Sequence, residues 1–185
     1  MTDLRGRLAF IQEAERLKSV LRSGHTSTGR PESTAEHTWR LCLMALTFED
    51  QWDAIDFAKL LKLCVLHDLG EALHGDIPAT AQDAVTDKSE RERHDLLQLT
   101  RTLPAALQAE FLALWEDYEY ARSREARIVK ALDKLETIIQ HNQGANPPGF
   151  DYAFNLGYGR RYTDAEPLLA QLRAIVDEDT RRRAG

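Results

Sequence analysis

The residues best equipped for chemistry lie in CVLHDLGEALHGDIPAT, the stretch from Cys64 to Thr80. His67 and Asp68 stand side by side where an apolar run stops, and Glu71, His74 and Asp76 follow. Two more polar residues sit awkwardly among apolar ones: His37, and Asp133 within IVKALDKLETII. A carboxylate at the edge of an apolar helical stripe is costly unless something positive pairs with it. One divalent cation would compensate His37, His67, Asp68 and Asp133 together. Their mixed nitrogen and oxygen donors suit Mn, Co, Ni, Fe or Zn better than Ca or Mg. Each residue also has a plainer use. A histidine at a helix end can cap carbonyls, a helical aspartate can pair with lysine, and Asp68 near Gly70 can shape a turn. By residue type and spacing alone, both readings stand.

Helical periodicity supplies the elements that must position these groups. Leu4, Leu8, Ile11, Leu17, Val20 and Leu21 recur at three- and four-residue spacing, which predicts a first amphipathic helix ending near Arg22. Ser33 and Glu36 form an S-x-x-E capping box for a helix carrying His37, Trp39, Leu43 and Leu46. Asp53 is the expected cap of a helix through Leu60, Leu63 and Leu66, apolar on most faces and so expected to be central. Further helices are expected over the charged segment Asp87 to Leu103, from Pro104 through Tyr118, from Ser123 to Asn142 with Gly144 as the stop, and after a second box at Thr163 and Glu166. GANPPGFDYAFNLGYGRRY between the last two reads as a long irregular loop, a length often tied to function. No β-alternation, repeat or linker is evident. The expectation is an all-α, single compact bundle of about six to eight helices over residues 1–185, with a frayed tail at 181–185.

The bulk composition narrows the partners. The 185 residues are 43% hydrophobic and 29% charged, with a net charge of −6. A groove for polymeric nucleic acid would need a basic surface, so no such partner is expected, although a few local cations can still hold a small anion. Cys42 and Cys64 lie in apolar segments and read as free thiols of a reducing compartment. No apolar run approaches the ~20 residues of a membrane span, and the N-terminus has no signal-like apolar stretch. A cytoplasmic protein with no membrane partner is expected.

With His37, the His67–Asp68 pair and Asp133 on the page, the chain resembles the HD-domain superfamily of metal-dependent phosphohydrolases. RPESTAEHTWR, LHDLGEALHGDIPA and VKALDKLE look like blocks of its small 5′-deoxynucleotidases, over about residues 17–172. The resemblance implies a helical homodimer with one divalent metal ion held by His37, His67, Asp68 and Asp133. It implies hydrolysis of nucleoside 5′-monophosphates, small-molecule substrates, to nucleoside and phosphate. Glu71, four residues beyond His67, is placed for acid/base work if the backbone stays helical. By the same resemblance Arg22 orients the phosphate, and Asp76, Ile77, Pro78 and Ala79 line the substrate pocket. Ser23 stands where the family often has tryptophan, a departure that bears on base or sugar contact. Arg30 is a weaker phosphate candidate. Glu136, one turn beyond Asp133, can orient a ligand or make a helical salt bridge, while His74 and the 144–162 loop receive no role. The alternatives are another phosphohydrolase of the superfamily, acting on a cyclic nucleotide, dinucleotide or alarmone, or a non-catalytic nucleotide-binding protein. A di-iron oxygenase needs further histidine ligands, and His25, His74, His94 and His141 form no defensible pattern for them.

Overall fold

The computed structural model describes residues 2–76 and 88–185. Ile77, Pro78 and Ala79 lie outside the described residues. The elements run α1 (Thr2–Ala14), β1 (Leu21–His25), β2 (Pro31–Ser33), α2 (Thr34–Thr47), α3 (Phe57–Leu66), α4 (Glu71–His74), α5 (Lys88–Thr100), α6 (Ala105–Glu119), α7 (Arg124–Gln143), α8 (Arg160–Thr163) and α9 (Pro167–Ala184). Among the described residues seven helices exceed nine residues, in line with a helical bundle, and α4 and α8 are single turns.

Capping chemistry set several boundaries as expected. The Ser33 hydroxyl accepts the Glu36 amide while the Glu36 carboxylate accepts the Ser33 amide, so α2 starts on a complete capping box. Ser123 caps α7 through the Ala126 amide, and Gly144 ends it. Other boundaries differ. Asp56 rather than Asp53 caps α3, accepting the Lys59 amide at 2.9 Å. The second box does not form: Thr163 belongs to α8, and α9 begins at Pro167 without a side-chain cap. The charged segment is helical, as α5.

The first helix is the largest correction. It stops at Ala14, a 3-10 turn covers Glu15–Lys18, and Arg22 lies on β1 of an antiparallel hairpin rather than at a helix end. The polar segment after Leu21 has no apolar stripe to hold a helix against the core, and the φ of +86° at Gly29 gives the chain its return. The strands pair Leu21 with Ser33 and His25 with Pro31. Five residues of β1 thus face three of β2, so β1 is irregular across Arg22, Ser23 and Gly24.

The centre of the bundle is α7, not α3. It packs on α2, α3, α6 and α9 and buries Leu132, Leu135 and Ile138 against Leu41, Leu60 and Leu63. It also buries Lys130, Asp133, Glu136 and Thr137, polar groups that need partners inside the fold. Gly70, in the turn between α3 and α4, lies so close to α5 that a Cβ would come 2.6 Å from the Glu92 carbonyl oxygen.

Candidate metal centre and substrate pocket

Three helices converge on one point. The first turn of α2 carries His37, the end of α3 carries His67 and then Asp68, and the middle of α7 carries Asp133. His37 Nε2 lies 3.3 Å from Asp133 Oδ1 and 3.7 Å from Asp68 Oδ2, and His67 Nε2 lies 3.1 Å from Asp68 Oδ2. All four expected ligands therefore meet, although they span 96 residues of chain from His37 to Asp133 (133 − 37).

Each imidazole is anchored by its other nitrogen. His67 Nδ1 donates to the Cys64 carbonyl at 2.8 Å, and His37 Nδ1 donates to the Glu136 carboxylate. Arg40 Nε then donates to the free Glu136 oxygen at 2.6 Å, which compensates that buried charge. The two Nε2 atoms are buried without a hydrogen-bond partner. Orphaned polar atoms of this kind need an explanation, and a bound cation between His37, His67 and Asp133 supplies one. A second possible grouping, Glu32, His37 and Glu136, is less suited, since Arg22, Arg40 and the His37 ring already compensate its carboxylates.

The carboxylates are held ready for a cation. Burial alone would raise the Asp68 carboxyl, but His67, His37 and Arg22 hold it below the usual carboxylate range. Asp133 behaves alike under Lys134, His37 and His67. Its Oδ2 accepts the Tyr118 hydroxyl at 2.7 Å and Lys134 Nζ at 2.9 Å, leaving Oδ1 toward the histidines. Burial and Arg22 oppose a proton on His37, yet Glu136 and Asp133 push its pKa up to about 9.

The remaining expected residues surround a cavity of about 670 Å³. Arg22, Ser23, Asp68, Glu71 and Asp76 all line it. Arg22 and Ser23 are neighbours in sequence and would point to opposite faces of a regular strand. The irregularity of β1 lets both reach the cavity. The Arg22 guanidinium lies 3.4 Å from Asp68 Oδ2 and donates to Thr137 Oγ1 at 3.0 Å. Glu71 is nearly fully buried, 4% exposed, with Thr34 Oγ1 at 3.4 Å. Burial, with the Asp68 and Asp76 carboxylates nearby, pushes its carboxyl up to about 10.

Other candidates fall elsewhere. Arg30 is exposed and paired with Glu36 at 2.6 Å, away from the cavity. His74 donates through Nδ1 to the buried Asp95 at 2.6 Å. Glu136, for which the sequence left ligand orientation and a helical salt bridge both open, holds the His37 ring. Residue spacing gave no hint of Tyr118, which reaches Asp133 from another helix. Thr137 and His141 follow Asp133 at four-residue steps on α7, and that periodicity was the available signal for them.

A buried cluster of histidine and aspartate on three helices, beside an arginine-lined cavity, defines a metal-dependent phosphohydrolase fold and site. Residues 14–173 match the family model described as HD domain, and the chain belongs to that family. Among curated proteins, human 5′-deoxynucleotidase HDDC2 is 35% identical over 141 residues, covering 75% of this chain and 68% of the relative. The fission yeast (Schizosaccharomyces pombe) 5′-deoxynucleotidase hdd1 is 33% identical over 137 residues, covering 71% and 68%. A crystal structure of a predicted metal-dependent phosphohydrolase from Magnetospirillum magnetotacticum superposes with a TM-score of 0.85 at 30% identity, covering 100% of this chain and 98% of that one.

Proposed function

We propose that this chain is a metal-dependent 5′-deoxynucleotidase, which hydrolyses 2′-deoxynucleoside 5′-monophosphates to nucleoside and phosphate. The observation that carries the reading is the pair of orphaned, buried Nε2 atoms of His37 and His67 facing Asp68 and Asp133 beside Arg22. The activity named for relatives at 33–36% identity over most of the chain supports it.

His37, His67, Asp68 and Asp133 hold one divalent transition-metal ion in this reading. When bound, the ion supplies an acidified water and a Lewis-acid contact for a phosphate oxygen. Arg22 takes two further phosphate oxygens with its planar fork, and its bond to Thr137 fixes that fork in place. Glu71, carrying a proton in its buried setting, donates to the departing 5′-oxygen of the nucleoside. Asp68 shares its charge between the ion and Arg22, so both ends of the phosphate clamp are referenced to one carboxylate. Ser23 and Asp76 line the nucleoside side, and Ile77, Pro78 and Ala79 would extend that wall.

The proposal includes one domain over residues 1–185, a homodimer and a cytoplasmic setting. Supporting these are the exposed stripe of Trp39, Leu43 and Leu46 on α2 and the two free cysteines. No described helix is long and apolar enough to cross a membrane. The test is phosphate release from a panel of ribo- and deoxyribonucleoside monophosphates by chelator-treated protein, with Mn or Co added back. Metal-restored release from deoxynucleotides is the expected result, and none from any of them overturns the reading.

A further inference from the structure

Beyond the metal and phosphate groups, one wall of the cavity holds a histidine without an assigned use. Asp133, Thr137 and His141 occupy successive turns of one face of α7, and all three line the cavity. Asp133 belongs to the metal cluster, and Thr137 holds Arg22. His141 comes one turn, ~5.4 Å, farther along, about the step from a 5′-phosphate to the far side of its sugar.

The ring of His141 is fixed from behind. Its Nδ1 donates to Asn155 Oδ1 at 3.1 Å, and Phe150 meets it edge-on with centroids 4.8 Å apart. Both partners come from the segment between α7 and α8, which is not wholly irregular, and Asn155, fully buried, lies in its 3-10 turn Ala153–Leu156. With Nδ1 donating, Nε2 carries a lone pair, and it makes no hydrogen bond to any described residue. Gly24 on β1 packs close against the ring edge, since a Cβ there would come 3.2 Å from His141 Cδ2 and 3.5 Å from Nε2, while the ring itself lines the cavity. Burial also keeps His141 below its ordinary pKa.

We propose that His141 is a specificity residue whose Nε2 accepts a hydrogen bond from the 3′-hydroxyl of the substrate's sugar, with the 144–162 loop serving to hold that ring. This rests on the 5′-deoxynucleotidase reading and adds to it a contact with the nucleoside. A sugar hydroxyl is the donor such a lone pair requires at this distance from the phosphate clamp, whereas an arginine or lysine there would read an anion instead.

The test is a comparison of 2′-deoxyuridine 5′-monophosphate with its 2′,3′-dideoxy counterpart, in the wild type and in His141→Ala and His141→Phe. The phenylalanine keeps the ring packing against Phe150 and removes the acceptor, so a folding defect in the alanine variant does not decide the outcome. The wild type should favour the 3′-hydroxyl substrate by about tenfold in kcat/KM, the worth of one well-placed hydrogen bond. In His141→Phe the ratio should fall to near one. An undiminished ratio in that variant, or no preference in the wild type, overturns the assignment while leaving the phosphatase reading intact. No release from any deoxynucleotide overturns both.

Discussion

Glu136 takes the Nδ1 hydrogen of His37 from 99 residues away in sequence, and so fixes which ring nitrogen faces Asp133. The same contact, with Asp133, favours a proton on the ring up to about pH 9. Proton and metal compete for the same Nε2. Metal binding should therefore release close to one proton below pH 9, and affinity should rise with pH until about 9 and then level off. Titration calorimetry with Mn in buffers of different ionisation enthalpy measures that proton. In Glu136→Gln, affinity above pH 9 should fall by about tenfold or more, because the ring loses its fixed orientation.

Glu71 is a separate matter, since it lies on the cavity wall and not among the atoms that converge on Nε2. Glu71→Ala should keep Mn affinity within about threefold of wild type while turnover drops on the order of a hundredfold or more. The acid form is the active one here. The rate should fall as pH rises through the value for this carboxyl, which a bound cation lowers from about 10. A pH–rate profile should show that alkaline limb in the wild type and lose it in the variant.

Arg22 offers a test of geometry over charge. Arg22→Ala should lower kcat/KM on the order of a hundredfold, and Arg22→Lys should recover only a small part, because an ammonium cannot span two phosphate oxygens in a plane. Metal affinity should change little in either variant, measured by the same calorimetry.

The capping box makes a prediction about stability. Arg30 and the Ser33 amide hold Glu36 at about 2, below its ordinary 4.5. A depressed carboxylate contributes stability above its ordinary pKa and loses it as pH falls through the folded value. Wild type should thus melt above Glu36→Gln at pH 7, with the gap closing between about pH 5 and 2. Glu36 is half-exposed and screened, so the gap corresponds to no more than about 1 kcal/mol. Thermal melts across that range would show it.

His67, Asp68 and Asp133 stood out as candidates because they interrupt strong apolar periodicity and burial there demands a partner, but only the resemblance to the HD family joined them with His37 as one expected ligand set. Helices α2, α6 and α7 were legible from the same apolar periodicity, α2 and α7 each with a side-chain cap and α6 with Pro104 at its start. The hairpin was not, because Leu21 and Val20 continue the helical spacing of α1 and only the tertiary fold withdraws them from it. In that helix Leu4, Leu8 and Ile11 are more than half exposed, so the stripe that suggested a core face does not mark one. The exchange of centrality between α3 and α7 was hidden for a related reason. Lys130, Asp133 and Glu136 lower the apparent hydrophobicity of α7, and their partners His37, Arg40 and Tyr118 come from distant segments.

The irregular strand β1 separates two kinds of damage that an insertion or deletion could do. Its extra residues are what allow Arg22 and Ser23 to share one side. Shortening the strand by two residues within that segment would match it to β2 and restore strict alternation, and the guanidinium and the hydroxyl would part company. The four residues proposed to hold the cation, on α2, at the end of α3 and on α7, would be untouched, so the shortened protein would still take up metal yet have nothing to grip the anion with. Chain length in this small hairpin, as well as the identity of Arg22, would then determine whether a loaded centre has a substrate to act on.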